Sequence, residues 1–230
     1  MNHEDQMALN NFGGITRLFP LPNLVFFPGT VQPLHIFEQR YRQLMDHTLE
    51  DNRLMSLILL KPGWENDYEG RPELHSMGCI GHVLAEQKLS DGRYNLLLRG
   101  LSRFRIIEEV ATSFLYRSAR IELIPAVEMS CLNTAMKLRQ HLSSSILPRF
   151  PDGGIRDQLK ELFQSELTIS SLTDILTYAL PIPMMIKQKI LESQSIEERA
   201  ALLVETFDNL DPQIDPLSKF KQFPPKFSLN

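Results

Sequence analysis

Between Leu18 and Arg42 the chain reads LFPLPNLVFFPGTVQPLHIFEQRYR, an apolar stretch cut by four prolines and followed at once by charged residues. A proline fixes its own φ, removes a backbone donor and drives the preceding residue towards extended geometry. Pro20, Pro22, Pro28 and Pro33 therefore forbid a helix here, while Leu24–Phe27 and Val31–Phe37 supply strand-forming residues. The segment is confined to short extended pieces.

The rest of the first half continues in strands. Ile15–Phe19 and Leu54–Leu60 are apolar runs of strand length. Between Val31–Phe37 and Leu54–Leu60, the stretch Glu38–Asp51 places Tyr41, Leu44, Met45 and Leu49 at helical spacing, which predicts one amphipathic helix. Cys79–Leu89 reads as a strand, and Asp91-Gly92 as a two-residue hairpin turn needing positive φ. Alternation follows in Arg93–Arg99, is broken at Gly100, and resumes at Arg103–Ile106. Phe114–Ile124 is a further strand closed by Pro125.

From Glu128 the period becomes helical. Leu132, Ala135, Met136, Leu142 and Ile146 form one stripe ended by Pro148. Ile155, Leu159, Leu162 and Phe163 form a second. Leu172, Ile175, Leu176 and Ala179 form a third, with Ser171 and Asp174 as its expected cap. Pro183 suits the first turn of a fourth helix carrying Met185, Ile186, Ile190 and Leu191. Ser195 and Glu198 make a capping-box pair for a fifth, with Ala200, Leu203, Val204 and Phe207 inward. The expected fold is α+β: a flexible N-terminus at 1–14, a β-rich subdomain at 15–126, a helical bundle at 127–210 and a tail at 211–230. With two adjacent prolines the tail cannot be a stable helix, and Phe220, Phe223 and Phe227 argue against pure disorder.

The 43% hydrophobic and 23% charged residues are those of an ordinary globular protein. A net charge of -4 argues against a general nucleic-acid binder. Two cysteines without a CxxC pair, and histidines away from ligand spacing, argue against a zinc site; no cofactor is expected. The N-terminus has no basic n-region or apolar h-region, and no apolar run is long enough to span a bilayer. These features predict a cytoplasmic location.

Two segments carry a resemblance. PLPNLVFFPG (Pro20–Gly29) followed by PLHIFEQRY (Pro33–Tyr41) resembles the opening of the LON domain, the N-terminal domain of Lon proteases. Asp91-Gly92-Arg93-Tyr94 and Gly100-Leu101-Ser102-Arg103-Phe104-Arg105-Ile106 are similar to a later DGRY…GxxRFRI segment of that family. The resemblance implies a PUA-like β part, a pseudo-barrel of short strands with one helix, followed by a helical bundle. It also implies a role in recognising protein substrates and supporting assembly. Lon proteases add an ATPase and a Ser-Lys protease, yet GxxxxGK[ST] is absent and these residues leave no room for either module after Leu210. HExxH and a glycine-flanked serine elbow are also absent, so the expectation is a protein without catalysis.

The long loop Lys61–Ser76 holds the lone tryptophan, so Trp64 and Tyr68 are candidates for an aromatic contact surface, with Phe37, Arg40 and Tyr41 at the start of the predicted helix. Arg93, Arg99, Arg103 and Arg105 would form a face for an anionic partner unless Glu86, Glu108 and Glu109 neutralise them. The leading expectation is binding of unfolded polypeptide or a protein partner, in connection with Lon-type protease machinery. RNA binding and an adaptor role for one folded partner are the alternatives.

Overall fold

The computed structural model describes residues 3–68, 70–126 and 128–209. The Lys/Phe-rich tail from Pro216 lies outside the described residues. Contacts divide the chain into two compact units, Met1–Ala126 and Val127–Asn230.

The first unit contains α1 (His3–Asn10), β1 (Ile15–Leu21), β2 (Val31–Ile36), α2 (Gln39–Glu50), β3 (Leu54–Leu60), β4 (Leu74–Lys88), β5 (Tyr94–Val110) and β6 (Arg117–Ile124). The strand order is β2-β5-β4-β3-β1-β6, and β6 also pairs with β5, so five of the strands close into a ring with β2 laid alongside β5. Only the β1–β3 pair is parallel among the described ladders. Every residue of β3 is buried, which explains its unbroken apolar sequence. Polar groups that enter this interior are hydrogen-bonded: the Thr16 and Ser56 hydroxyls lie 2.8 Å apart, and those of Thr30 and Thr48 donate to the Phe27 and Leu44 carbonyls.

The 17-residue β5 shows how the ring closes. Tyr94–Arg99 pairs with β2 and Arg103–Val110 with β6, while β4 runs along the other edge. Gly100 does not end the strand. It sits where the β4–β5 register shifts, a bulge that redirects the strand from one partner to the next. There the Gly29 amide donates to the Gly100 carbonyl and the Gly100 amide to the Thr30 carbonyl, both at 2.9 Å. A Cβ on Gly100 would strike the Phe27 carbonyl, so only glycine admits this approach. The Asp91-Gly92 turn also differs from expectation. Leu89 donates to Arg93 across Ser90-Asp91-Gly92, and only Gly92 has positive φ (80°), giving a three-residue loop.

Two apolar clusters fill the unit. One joins Tyr41, Leu44 and Met45 of α2 to Phe19, Phe26, Ile36, Leu57 and Leu98. The other joins Leu18, Ile58, Ile80, Phe104 and Ile121, with Ala8, Leu9 and Phe12 packed against it. Those last residues belong to or follow α1, a helix where a flexible N-terminus was expected. A weak apolar pattern hid it, because its anchor is polar. The buried Asp5 carboxylate lies 3.1 Å from His82 Nδ1 and accepts from Arg99 at 3.0 Å.

The second unit holds α3 (Leu132–Ile146), α4 (Gly154–Gln164), α5 (Ile169–Ala179), α6 (Met184–Glu192) and α7 (Ile196–Asp208). Thr168, rather than Ser171, caps α5 by accepting from the Ser171 amide at 3.3 Å. Asp174 instead pairs with Arg199 in the interior. Ser195 caps α7 as its sequence predicts, accepting from Glu198 N at 3.2 Å, but the Glu198 carboxylate turns to Ser193. Arg139 of α3 donates to the Phe163 and Ser165 carbonyls at 2.8 and 2.9 Å and to that of Leu167, satisfying groups left open at the end of α4. The predicted α3 stripe packs only at its C-terminal end: Leu142 and Ile146 are buried, whereas Leu132 and Met136 are exposed.

Candidate polypeptide-binding surface

Chain geometry at the β2–α2 junction creates the candidate site. Strand β2 ends at Ile36, so Phe37 leaves the sheet before the helix starts and is 60% exposed. Glu38 takes the N-cap position with extended backbone (φ -67°, ψ 138°), but its side chain makes no cap bond. It accepts instead from Arg40 Nε at 2.9 Å and from the Tyr68 hydroxyl at 2.8 Å. The Arg40 guanidinium lies 4.8 Å from the Tyr41 ring centre and 5.1 Å from that of Tyr68. The first turn of α2 is thereby fastened to the long loop. Burial, then the bond to Glu38, pushes the Tyr68 phenol up, so it stays a neutral donor at neutral pH.

The loop before β6 completes the surface. The Leu115 amide donates to Gln43 Oε1 of α2 at 2.8 Å. Phe114 stacks on Tyr116 with centroids 5.2 Å apart and meets the His47 ring at 4.8 Å, while His47 Nδ1 lies 2.8 Å from the Tyr116 hydroxyl. These ties hold Leu115 at 55% and Phe114 at 45% exposure. Phe37, Glu38, Gln39, Arg40, Tyr68, Gly70 and Leu115 line one open cleft of about 540 Å³. Its two charged groups, Glu38 and Arg40, pair with each other, and Phe37 and Leu115 add apolar surface to a lining that is otherwise largely polar.

Of the predicted contact residues, Phe37, Arg40 and Tyr68 come together here. Trp64 joins them indirectly: it is half-buried in a 3₁₀ turn, its ring edge-on to Tyr68 at 5.5 Å. Tyr41 does not reach the surface; its ring is buried 4.4 Å from Phe19. Leu115 and Phe114 were missed, because two apolar residues before a strand read as the strand's own beginning. The signal available was Thr112-Ser113, which separates them from the previous strand.

The four arginines do not share one exposed face. Arg93 pairs with Asp91 at 2.5 Å, Arg99 with Asp5, and Arg105 with Glu122 at 3.8 Å, while Arg103 is buried. The glutamates expected to neutralise them serve other arginines: Glu86 pairs with Arg53, Glu108 with Arg120, and Glu109 with Arg71 and Arg117. Among the described residues, no group of three or more His, Cys, Asp or Glu could hold a metal ion, and no helix is long and apolar enough to cross a membrane.

The family described as the ATP-dependent protease La (LON) substrate-binding domain matches residues 16–209. The chain belongs to that family. Its relatives include "Lon protease" of Anaeromyxobacter dehalogenans, 28% identical over 194 residues, a match covering 82% of this chain and 22% of that protein. "Lon protease 2" of Myxococcus xanthus is 27% identical over 194 residues, covering 82% and 23%. This LON-domain chain thus spans less than a quarter of the length of the curated relatives it matches. Among solved structures, the N-terminal domain of Mycobacterium avium complex Lon protease aligns with a TM-score of 0.63 at 18% identity, covering 85% of this chain and 98% of that one. The Lon N-terminal domain protein from Xanthomonas campestris aligns at 0.60 and 19% identity, covering 83% and 97%. At such identities the structures share the fold.

Proposed function

We propose that this LON-domain chain binds exposed apolar segments of unfolded polypeptide without catalysing a reaction on them, in the cytoplasm and in connection with a Lon-type protease. The observation that carries the reading is the pair Phe37 and Leu115, exposed on one cleft whose walls are fastened by hydrogen bonds, with Phe114 exposed next to Leu115 in the chain. Large exposed apolar side chains placed side by side mark an interaction surface. The family supplies the class of partner, being a substrate-binding domain in proteins whose other relatives are Lon proteases.

Recognition would come from burial of the three apolar side chains, with the Arg40–Tyr68 face as a platform for aromatic residues of the client. Because Glu38 already neutralises Arg40, binding depends little on salt. The nucleic-acid alternative loses its support, since three of the four arginines are engaged by carboxylates and the fourth is buried. The test is fluorescence anisotropy with a labelled, permanently unfolded polypeptide. A double Phe37→Ser, Leu115→Ser variant is expected to weaken binding about tenfold or more, as loss of two buried apolar anchors implies. Unchanged affinity in a folded variant would overturn the assignment of this surface.

A further inference from the structure

The second unit carries an apolar face that its own helices leave uncovered. On α3, Leu132 is 73% and Met136 60% exposed, one helical turn apart on the same side. They border two adjoining hollows of about 530 and 570 Å³ that share Met136 and Arg139, with Ala135, Leu167 and Phe163 among their apolar lining. Two carboxylates, Glu128 and Glu166, line the hollow that holds Leu132, and a base, Lys137, lines the other beside Met136. Glu128 precedes α3 and accepts a hydrogen bond from the Thr168 hydroxyl at 3.1 Å; Lys137 follows Met136. Neither makes an ion pair among the described residues. Other cations nearby are engaged: Arg139 on three carbonyls, and Lys160 on Asp157 at 3.0 Å.

We propose that this face is a seam between two copies of the chain, with α3 packed antiparallel on its two-fold mate. The charge order decides the occupant. A surface that reads acid, apolar, apolar, base is complementary to itself when rotated by a two-fold axis: Glu128 of each copy meets Lys137 of the other, and the Leu132 and Met136 side chains meet between them. About two turns of helix make a small interface, so the dimer forms only at micromolar or higher protein concentration. The seam is built from residues of the second unit, and the polypeptide surface from residues of the first.

Sedimentation velocity of the full chain over a concentration series tests this. Met136→Glu is expected to leave a monomer throughout. Lys137→Glu, at an exposed position and with circular dichroism confirming its fold, is expected to raise the dissociation constant about tenfold by setting like charges opposite each other. Adding Glu128→Lys to it restores dimerisation to within about threefold of the parent, which a nonspecific apolar contact would not do. A chain monomeric at every concentration, a dimer indifferent to Lys137→Glu, or a charge swap without rescue overturns the proposal. So does a labelled unfolded polypeptide that cross-links at Leu132 and dissociates the dimer, which would make the face a client site.

Discussion

Replacing Arg199 with alanine offers a sharp test of what holds the helical unit together. Its side chain and that of Asp174 are each 3% exposed, 3.0 Å apart, joining α7 to α5, and Arg199 also donates to Ser170 Oγ at 3.3 Å. A charge taken this far from water is tolerated only because its partner is in place. The Coulombic gain of the pair roughly offsets its desolvation, but removing one member leaves the other buried and uncompensated, at a cost of about 3–5 kcal/mol. With a urea dependence of about 2 kcal/mol per molar, the midpoint should fall by about 2 M. The assay is urea unfolding followed by circular dichroism at the helical band. The combined Asp174→Leu, Arg199→Met variant removes both charges and keeps apolar volume, so it should recover most of the loss. A loss below about 1 kcal/mol for Arg199→Ala, or a double variant as unstable as the sum of the singles, would refute the reasoning.

Three other outcomes follow from the geometry. Gly100→Ala should cost at least about 3 kcal/mol, because the new Cβ meets the Phe27 carbonyl, whose carbon would lie only 2.9 Å away, on backbone already fixed by two hydrogen bonds; chemical denaturation reads this directly. Asp5→Ala should leave Arg99 and His82 without their shared carboxylate and release α1, seen as faster amide exchange in residues 3–10 with β3 still protected. Lys187 gives a pH signature. Burial lowers its amine from the ordinary 10.5 to about 8, so the folded state sheds the proton first. Between those values the unfolded chain binds more protons, and stability rises with pH by up to about 3 kcal/mol before levelling off; below about pH 8 the full burial cost is present. Lys187→Met should abolish that rise, and an unchanged pH profile would rule this account out.

Strands β1 to β3 and helix α2 were legible because their burial follows local rules, alternation or a 3.6-residue stripe over a few turns. What local rules miss is the identity of the partner. Gly100 looks like a strand end in sequence, yet the bulge it permits exists only because Phe27–Thr30 comes close through the fold. The stripe on α3 announces an apolar face at Leu132 and Met136 but not whether that face has company within its own unit. Helix α1 is held by a carboxylate whose partners lie 77 and 94 residues away, beyond any periodicity. At the candidate surface, Phe37, Arg40 and Tyr68 were readable from the strand-to-helix junction and the long loop. Leu115 was not, because only the tertiary bond to Gln43 turns it outward beside them.

The most direct test of the central claim is a titration of labelled unfolded polypeptide against the chain at two salt concentrations, with unlabelled RNA as competitor. The Phe37–Leu115 surface predicts micromolar binding that survives moderate salt, ignores RNA and is lost in the Phe37→Ser, Leu115→Ser double variant. Binding that collapses with salt or yields to RNA, or no polypeptide binding at all, would contradict it.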